Sequence, residues 1–398
     1  MRLLAVVPRY GAGVSGGAES LCREQCERLA ARGHGVEVAT TCAVSYVDWA
    51  DALEPGTTEE QGVTVHRHRV RRPRDRALFD GLHDRVVWGR RRGHAGPSLA
   101  VQEAWMRAQG PDCPDLVRFV AEESGRFDAV AFLPYLYAST WAAIGATRAP
   151  ALLQPLAHDE PPWRLPLFDG VLRRPDGFGF VTPEEEALVR RRVPVGDRPA
   201  AVVGIGTDPV PPADPDLFRR VSGLGDRPYV VVVGRVDPSK GTTEAARLFA
   251  AYKERNPGSL ALALVGDPVA PPPAIADVVV CGLVDEDTKR SALAGAVCLL
   301  QPSYFESFSI VLLEAWAQGR PVLVNGRCDV LRGQAARARG GLAYAGFPEF
   351  EAALDLLVGD EALAARLGAA GRAHAEANHG WGTVLDRYEH LVEAVSST

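Results

Sequence analysis

Tyr229-Val230-Val231-Val232-Val233-Gly234-Arg235-Val236-Asp237-Pro238-Ser239-Lys240-Gly241 carries a β-branched run into a glycine-flanked turn that holds an arginine and a lysine. Four consecutive valines that run into a glycine turn have the pattern of a strand buried on both faces. The helix-like stretch Thr242–Tyr252 that follows completes a strand–turn–helix unit of a parallel sheet. Both cations leave the sheet at the end of the same strand. A guanidinium offers forked hydrogen bonds and an ammonium a compact charge, so together they suit a diphosphate. The chain has only three lysines (Lys240, Lys253 and Lys289), which makes a lysine in such a turn informative.

Outward from this unit, short apolar runs alternate with helical stretches of about ten to fifteen residues, the signature of βαβ architecture. The second half of the chain continues with strands expected at Leu260–Val265, Val278–Cys281, Val297–Leu300 and Pro321–Val324. The first half repeats the pattern at Leu3–Val7, Gly35–Thr40, Val63–His68, Ala129–Phe132, Ala151–Gln154 and Gly177–Val181, with a helix over Ala18–Arg32 ending at Gly33. Between Val193 and Pro228 the sequence turns rich in Pro, Gly and Asp and holds one strand candidate, Ala201–Ile205. The expected fold is α/β, with two Rossmann-like doubly wound domains. The expected limits are residues 1–198, completed by a C-terminal crossover helix over about 380–398, and residues 199–379. Open parallel sheets bind ligands beyond the carboxyl ends of their strands, so the expected site faces the cleft between the domains.

Composition agrees with two ordinary cores. The chain has 398 residues, 46% hydrophobic and 24% charged, with a formal charge of −6. Those values exclude a largely disordered or fibrous chain, and the acidic balance argues against nucleic acid as a partner. No apolar run approaches the length of a membrane span. The opening run Met1–Pro8 is too short for a secretory h-region and reads as a buried strand. The seven cysteines are scattered without C-x-x-C spacing, and Cys22 and Cys26 fall four apart on one helix as core thiols. A reduced, cytoplasmic setting is expected.

Three further stretches carry chemistry. Gly11-Ala12-Gly13-Val14-Ser15-Gly16-Gly17 satisfies G-x-G-x-x-G between a strand and a helix. Pro8, Arg9 and Tyr10 separate it from the strand, and the second strand ends in Thr40-Thr41-Cys42, with no acid for ribose hydroxyls. It is therefore weak as a nicotinamide fingerprint, and it still suits a phosphate or sugar near a helix N-terminus. Tyr304-Phe305-Glu306-Ser307-Phe308-Ser309-Ile310-Val311-Leu312-Leu313-Glu314-Ala315-Trp316 enters a helix at about Ser309 that ends at Gly319. That helix is apolar almost all round, so Glu314 is expected to be buried and to need hydrogen-bond donors, which ribose hydroxyls could supply. Glu306 precedes the helix, where free N–H groups and the positive end of the dipole gather. The third stretch, Arg67 to Arg92, is strongly basic and reads as a solvated loop, or as a contact for an anionic acceptor or a membrane surface.

Gly-Arg-x4-Lys-Gly followed by Glu-x7-Glu resembles the retaining nucleotide-sugar glycosyltransferases of family four, with the GT-B fold. The likeness extends to Gly16-Gly17-Ala18-Glu19, His158-Asp159-Glu160, Gly282-Leu283-Val284-Asp285 and the region of Trp381. It implies catalytic positions at His158, Arg235, Lys240 and Glu306. It implies donor-binding positions at Gly16, Gly17, Gly234, Arg235, Lys240, Leu283, Glu306, Phe308, Ser309, Ile310 and Glu314. Arg235 and Lys240 would meet the diphosphate, Glu306 the sugar, Glu314 the ribose, and His158 the reacting centre. Ser309 departs from the family, which often has a second glycine there. Asp214-Pro215-Asp216 and Asp285-Glu286-Asp287 both spell D-x-D, but each opens a helix and reads as an N-cap. With Arg235 and Lys240 supplying positive charge, no metal is expected. No cofactor is expected beyond the nucleoside-diphosphate sugar as co-substrate, UDP-linked before GDP-linked. The acceptor and the oligomeric state stay open. A nucleotide-sugar epimerase of the same fold and an NAD-dependent oxidoreductase are the rival readings.

Overall fold

The computed structural model describes residues 1–14, 16–89 and 96–397. The chain divides into two compact units, Met1–Gly204 with Leu385–Thr398, and Ile205–Val384. The last helix, Trp381–Ser396, starts in the second unit and ends in the first.

The first unit is built on an eight-stranded sheet. Its strands are β1 (Arg2–Val6), β2 (Gly35–Thr41), β3 (Gly56–Glu60), β4 (Val63–His68), β5 (Ala129–Phe132), β6 (Ala151–Leu153), β7 (Gly177–Phe180) and β8 (Ala200–Val202). They lie in the order β3-β4-β2-β1-β5-β6-β7-β8, every pair parallel except the β3–β4 hairpin. Crossover helices cover the faces and bury Trp105, Phe132, Phe168, Phe178 and Phe180. Gly177 and Gly179 admit the last helix against the sheet, since a Cβ on either would lie 2.3 Å from Val395 or 3.3 Å from Leu391.

The second unit holds six parallel strands in the order β11-β10-β9-β12-β13-β14. They are β9 (Tyr229–Val233), β10 (Ala261–Val265), β11 (Val278–Gly282), β12 (Leu299–Gln301), β13 (Val322–Asn325) and β14 (Gly341–Tyr344). Val230, Val232, Leu262, Leu264, Phe249 and Leu354 form its core. The four valines of β9 are all but inaccessible apart from the last, as a central strand requires. Each unit is thus a doubly wound α/β fold built on a mainly parallel sheet.

Expected strands recur with ends shifted by up to three residues, the largest shift at β8, which pairs with β7 in the first unit's sheet, while β3 and β14 have no counterpart among the expected strands. β3 (Gly-Thr-Thr-Glu-Glu) is exposed along most of its length and has no apolar alternation to announce it. Asp214 and Asp285 do cap helices, accepting hydrogen bonds from the main-chain N–H of Asp216 (2.9 Å) and Thr288 (2.7 Å). Cys22 and Cys26 are buried on the helix Gly17–Ala31. The basic stretch is not one solvated surface. Arg67 is buried and paired with Glu60 at 2.6 Å, while Arg69 faces Glu54 and Arg71 faces Asp112, each at 3.4 Å. Arg74 lies across the rings of Trp49 and Phe79. Ser15, Arg90, Arg91 and Arg92 lie outside the described residues.

Candidate functional site

At the carboxyl end of β9 the second unit has a cavity of about 180 Å3, lined by Gly234, Arg235, Lys240, Glu306, Ser309 and Ile310 together with Thr242 and Gln301. Two loops make it. In the first, Gly234 turns at φ 140° as the chain leaves the sheet. Asp237 then organises the segment: its carboxylate accepts hydrogen bonds from the Ser239 main-chain N–H (2.7 Å), the Ser239 hydroxyl and Arg235 Nε. Burial alone would raise this carboxyl's pKa, but the hydrogen bonds from Ser239 and Arg235 hold it below the usual range. Arg235 is therefore aimed by an acid two residues away, which no motif in the sequence announced.

Gly241 brings this loop against the second one. It sits at φ 75°, and a Cβ there would lie 2.4 Å from the Pro302 carbonyl oxygen, so glycine is required twice over. Across that contact Lys240 Nζ reaches Glu306 Oε1 at 2.7 Å. The two cations do line one cavity, each already facing a carboxylate.

The second loop ends at Ser309, whose backbone is left-handed (φ 76°, ψ 77°) just before the helix Ile310–Ala317. A glycine would take that conformation without strain. Ser309 holds it while its hydroxyl accepts a hydrogen bond from Gln301 Nε2 at 2.8 Å. The first N–H groups of the helix lack partners within the helix, and Ile310 and Val311, which carry them, line the cavity. Phe308 does not line the cavity. Its ring is buried edge-on to His379, with centroids 5.3 Å apart, and its carbonyl accepts a hydrogen bond from Gln334.

Glu314 corrects an expectation. It is not an orphaned buried acid: its side chain keeps 28% exposure and pairs with Lys289 Nζ at 2.9 Å. One turn of helix beyond Ile310 carries it past the cavity lining, and the helix's buried face is supplied by Leu312, Leu313, Ala315 and Trp316. Lys289 also meets Glu286 at 2.9 Å. Burial would lower its pKa, and the two acids together raise it. Leu283, following Gly282 at φ 71°, is 75% exposed and lines none of this cavity.

The remaining candidates belong to the first unit. Gly16 (φ 147°) precedes the helix Gly17–Ala31, and a Cβ on it would come within 2.3 Å of Glu19 Oε2. That carboxylate forms a buried ion pair with Arg9 at 2.7 Å. Arg9, one of the three residues between strand and glycines, thus sets its guanidinium against the acid in the first turn of that helix. A Cβ on Gly17 would touch nothing. His158 follows β6 in the loop 154–160, partly exposed, with Nδ1 3.6 Å from Glu160 Oε1. Glu160 is in turn held by the Tyr135 hydroxyl at 3.1 Å.

Among the described residues no group of three or more His, Cys, Asp or Glu could hold a metal ion, and no helix is long and apolar enough to cross a membrane.

Comparison with known proteins bears on the fold and on the second unit. Residues 227–354, which hold both loops, match the family model "Glycosyl transferases group 1". Among solved structures, the sucrose-phosphate synthase of Thermosynechococcus elongatus superposes with a TM-score of 0.69 at 20% identity, covering 100% of each chain. Anabaena HepE in complex with UDP and glucose gives 0.70 at 15% identity, also covering 100% of each. The trehalose 6-phosphate synthase of Burkholderia multivorans gives 0.72 at 15%, covering 100% of this chain and 97% of that one. No curated protein matches the chain. The second unit is therefore similar to the glycosyl transferases group 1 over residues 227–354, and the chain shares the GT-B fold of these solved structures.

Proposed function

We propose that the protein transfers a sugar from a nucleoside-diphosphate donor, UDP-linked by preference, to an acceptor nucleophile, with retention of the anomeric configuration and without a metal ion. The observation that carries this reading is the cavity at the end of β9. It joins a guanidinium, an ammonium, a carboxylate and the N-terminus of a helix around a space sized for phosphate groups. Anions are favoured at such a terminus, and two cations beside it would stabilise the charge that develops on the departing diphosphate. That charge needs no divalent ion when Arg235 and Lys240 are in place. The preference for UDP follows the solved neighbours of the same fold, one of which was crystallised with UDP and glucose.

In the reaction, the acceptor oxygen forms a bond to C1 of the donor sugar on the face from which the diphosphate leaves. The bond from C1 to the β-phosphate oxygen breaks, and that phosphate oxygen takes the acceptor's proton. No carboxylate nucleophile is then needed. Arg235 and Lys240 hold the diphosphate and Glu306 orients the sugar; Glu314, past the lining of the cavity, is assigned the ribose, whose hydroxyls would share its carboxylate with Lys289. By the family resemblance, His158 is assigned to the reacting sugar.

A thermal-shift panel with UDP, GDP, ADP, dTDP and NAD(H), in EDTA and again with magnesium, tests this reading. A nucleotide at about 100 times its dissociation constant adds roughly 2.7 kcal/mol, or a few degrees for a chain of this size. The expected result is a metal-independent shift with UDP that disappears in Arg235→Ala. A shift with NAD(H) alone overturns the reading. Retention is checked by the anomeric configuration of the product in its NMR spectrum.

A further inference from the structure

We propose that Glu185 is a positioning residue for His158, acting through the main chain of the turn on which the histidine stands; the inference rests on the role given to His158 above. Glu185 lies in the first turn of the helix Pro183–Arg192, three residues after the N-cap Thr182, whose hydroxyl accepts a hydrogen bond from the Glu185 N–H at 3.2 Å. An acid there ordinarily faces solvent beside the helix dipole. This one points inward and is 1% exposed.

Its carboxylate oxygens are bonded to main chain. Oε1 accepts from the Ala157 N–H at 2.7 Å and Oε2 from the Val181 N–H at 2.7 Å. The N–H groups of Leu156 and Thr182 also favour its charged form. The carboxylate therefore fastens the turn after β6 to the end of β7. Leu156 is held at φ 52°, a conformation that side chains avoid, and fully buried Ala157 follows it. The next residue is His158.

A buried carboxyl group served by main-chain N–H groups needs those groups to stay in place, and they need it. The turn thus has one arrangement that satisfies the acid, and that arrangement sets where the imidazole begins. The outer end of the loop is fixed separately, by the Glu160 N–H on the His158 carbonyl (2.7 Å) and by Tyr135 on Glu160.

The test follows the imidazole signals of the full chain, which has nine histidines, in Glu185→Gln, which keeps the length of the side chain, and in Glu185→Asp, which keeps the acid but shortens it. The expected result is that the His158 resonances move, while those of the other histidines stay put. Hydrolysis of UDP-glucose, with water as the acceptor, should slow about tenfold or more with its KM little changed. On a His158→Ala background Glu185→Gln should add little to the loss, since residues that act as a unit are not additive. An unmoved His158 signal in both variants overturns the proposal. So does a full additional loss on the His158→Ala background, or failure of both variants to fold, which makes Glu185 a core support. If the wild type neither binds UDP nor turns over UDP-glucose, the functional reading fails, while the His158 signals still decide the role of Glu185.

Discussion

Lys240 Nζ lies 2.7 Å from Glu306 Oε1, an ion pair joining the two loops of the cavity. A diphosphate that enters must share this ammonium with the carboxylate or displace it. The two partners should therefore respond differently to truncation. Lys240→Ala removes a charged donor, and hydrogen bonds to charged groups contribute about 1.5–3 kcal/mol, so UDP affinity should fall about 10- to 150-fold. Glu306→Gln keeps the shape and removes a competing anion, so UDP should bind about as well or more tightly, while sugar transfer drops. Calorimetric titration with UDP, alongside initial rates, separates the two. Equal weakening in both variants would mean that Glu306 helps to bind the nucleotide itself.

Arg235 depends on Asp237, the buried acid that caps its own turn. Asp237→Ala should lower UDP affinity about tenfold without removing any group assigned to the ligand, because a guanidinium freed of its acid loses its aim. Acid should act on the same point. The Asp237 carboxyl is held below its ordinary value of 3.8, so the stability it contributes is present above that value and is lost as pH falls through the lowered one. Urea melts between pH 5 and 3 should fall more steeply for wild type than for Asp237→Asn.

Ser309→Gly and Gly241→Ala should part sharply. At Ser309 a glycine relieves a left-handed backbone that costs an ordinary residue about 1–2 kcal/mol, and loses one hydrogen bond from Gln301 worth about 0.5–1.5 kcal/mol. Stability should change by less than about 1 kcal/mol, and UDP binding should persist. Gly241→Ala instead forces a Cβ to within 2.4 Å of the Pro302 carbonyl oxygen at φ 75°. The two loops must then separate, which should break the Lys240–Glu306 pair and abolish the UDP-induced shift. Thermal denaturation with and without UDP reads both variants.

The strand–turn–helix pattern around Val230–Val233 and its counterparts was legible in the sequence because buried parallel strands are short apolar runs set off by turn residues. Arg235, Lys240, Glu306, Ser309 and Ile310 meet in one cavity for the same reason: each stands where a strand or helix begins or ends. What the sequence hid were partners distant along the chain. Lys289 meets Glu314 from another helix, and no periodicity within the apolar helix could foretell it. Arg9, between the strand and the glycines, pairs with Glu19 ten residues further on, a partner that no spacing motif marks. Phe308 lies within the motif, but its ring is taken up by packing against His379. The β3 hairpin strand escaped notice because it owes its place to pairing with β4 and to the turn at Gln61 and Gly62, not to a buried face.

Glu185 should make the stability of the chain depend on pH in an unusual direction. Burial pushes its carboxyl up to about 8, against the pull of the main-chain N–H groups around it. In the unfolded chain the group titrates near its ordinary value of 4.5, so between that pH and about 8 the folded protein holds a proton that the unfolded one does not. Its contribution is fully present below 4.5 and is lost as pH rises towards 8. Most carboxylates act the other way, losing their stabilising effect as pH falls. Denaturant midpoints taken from pH 5 to 9 should therefore decline for wild type relative to Glu185→Gln, whose amide does not titrate. A parallel pH dependence in the two proteins would show that Glu185 stays ionised throughout, its charge fully compensated by the N–H groups of Leu156, Ala157, Val181 and Thr182.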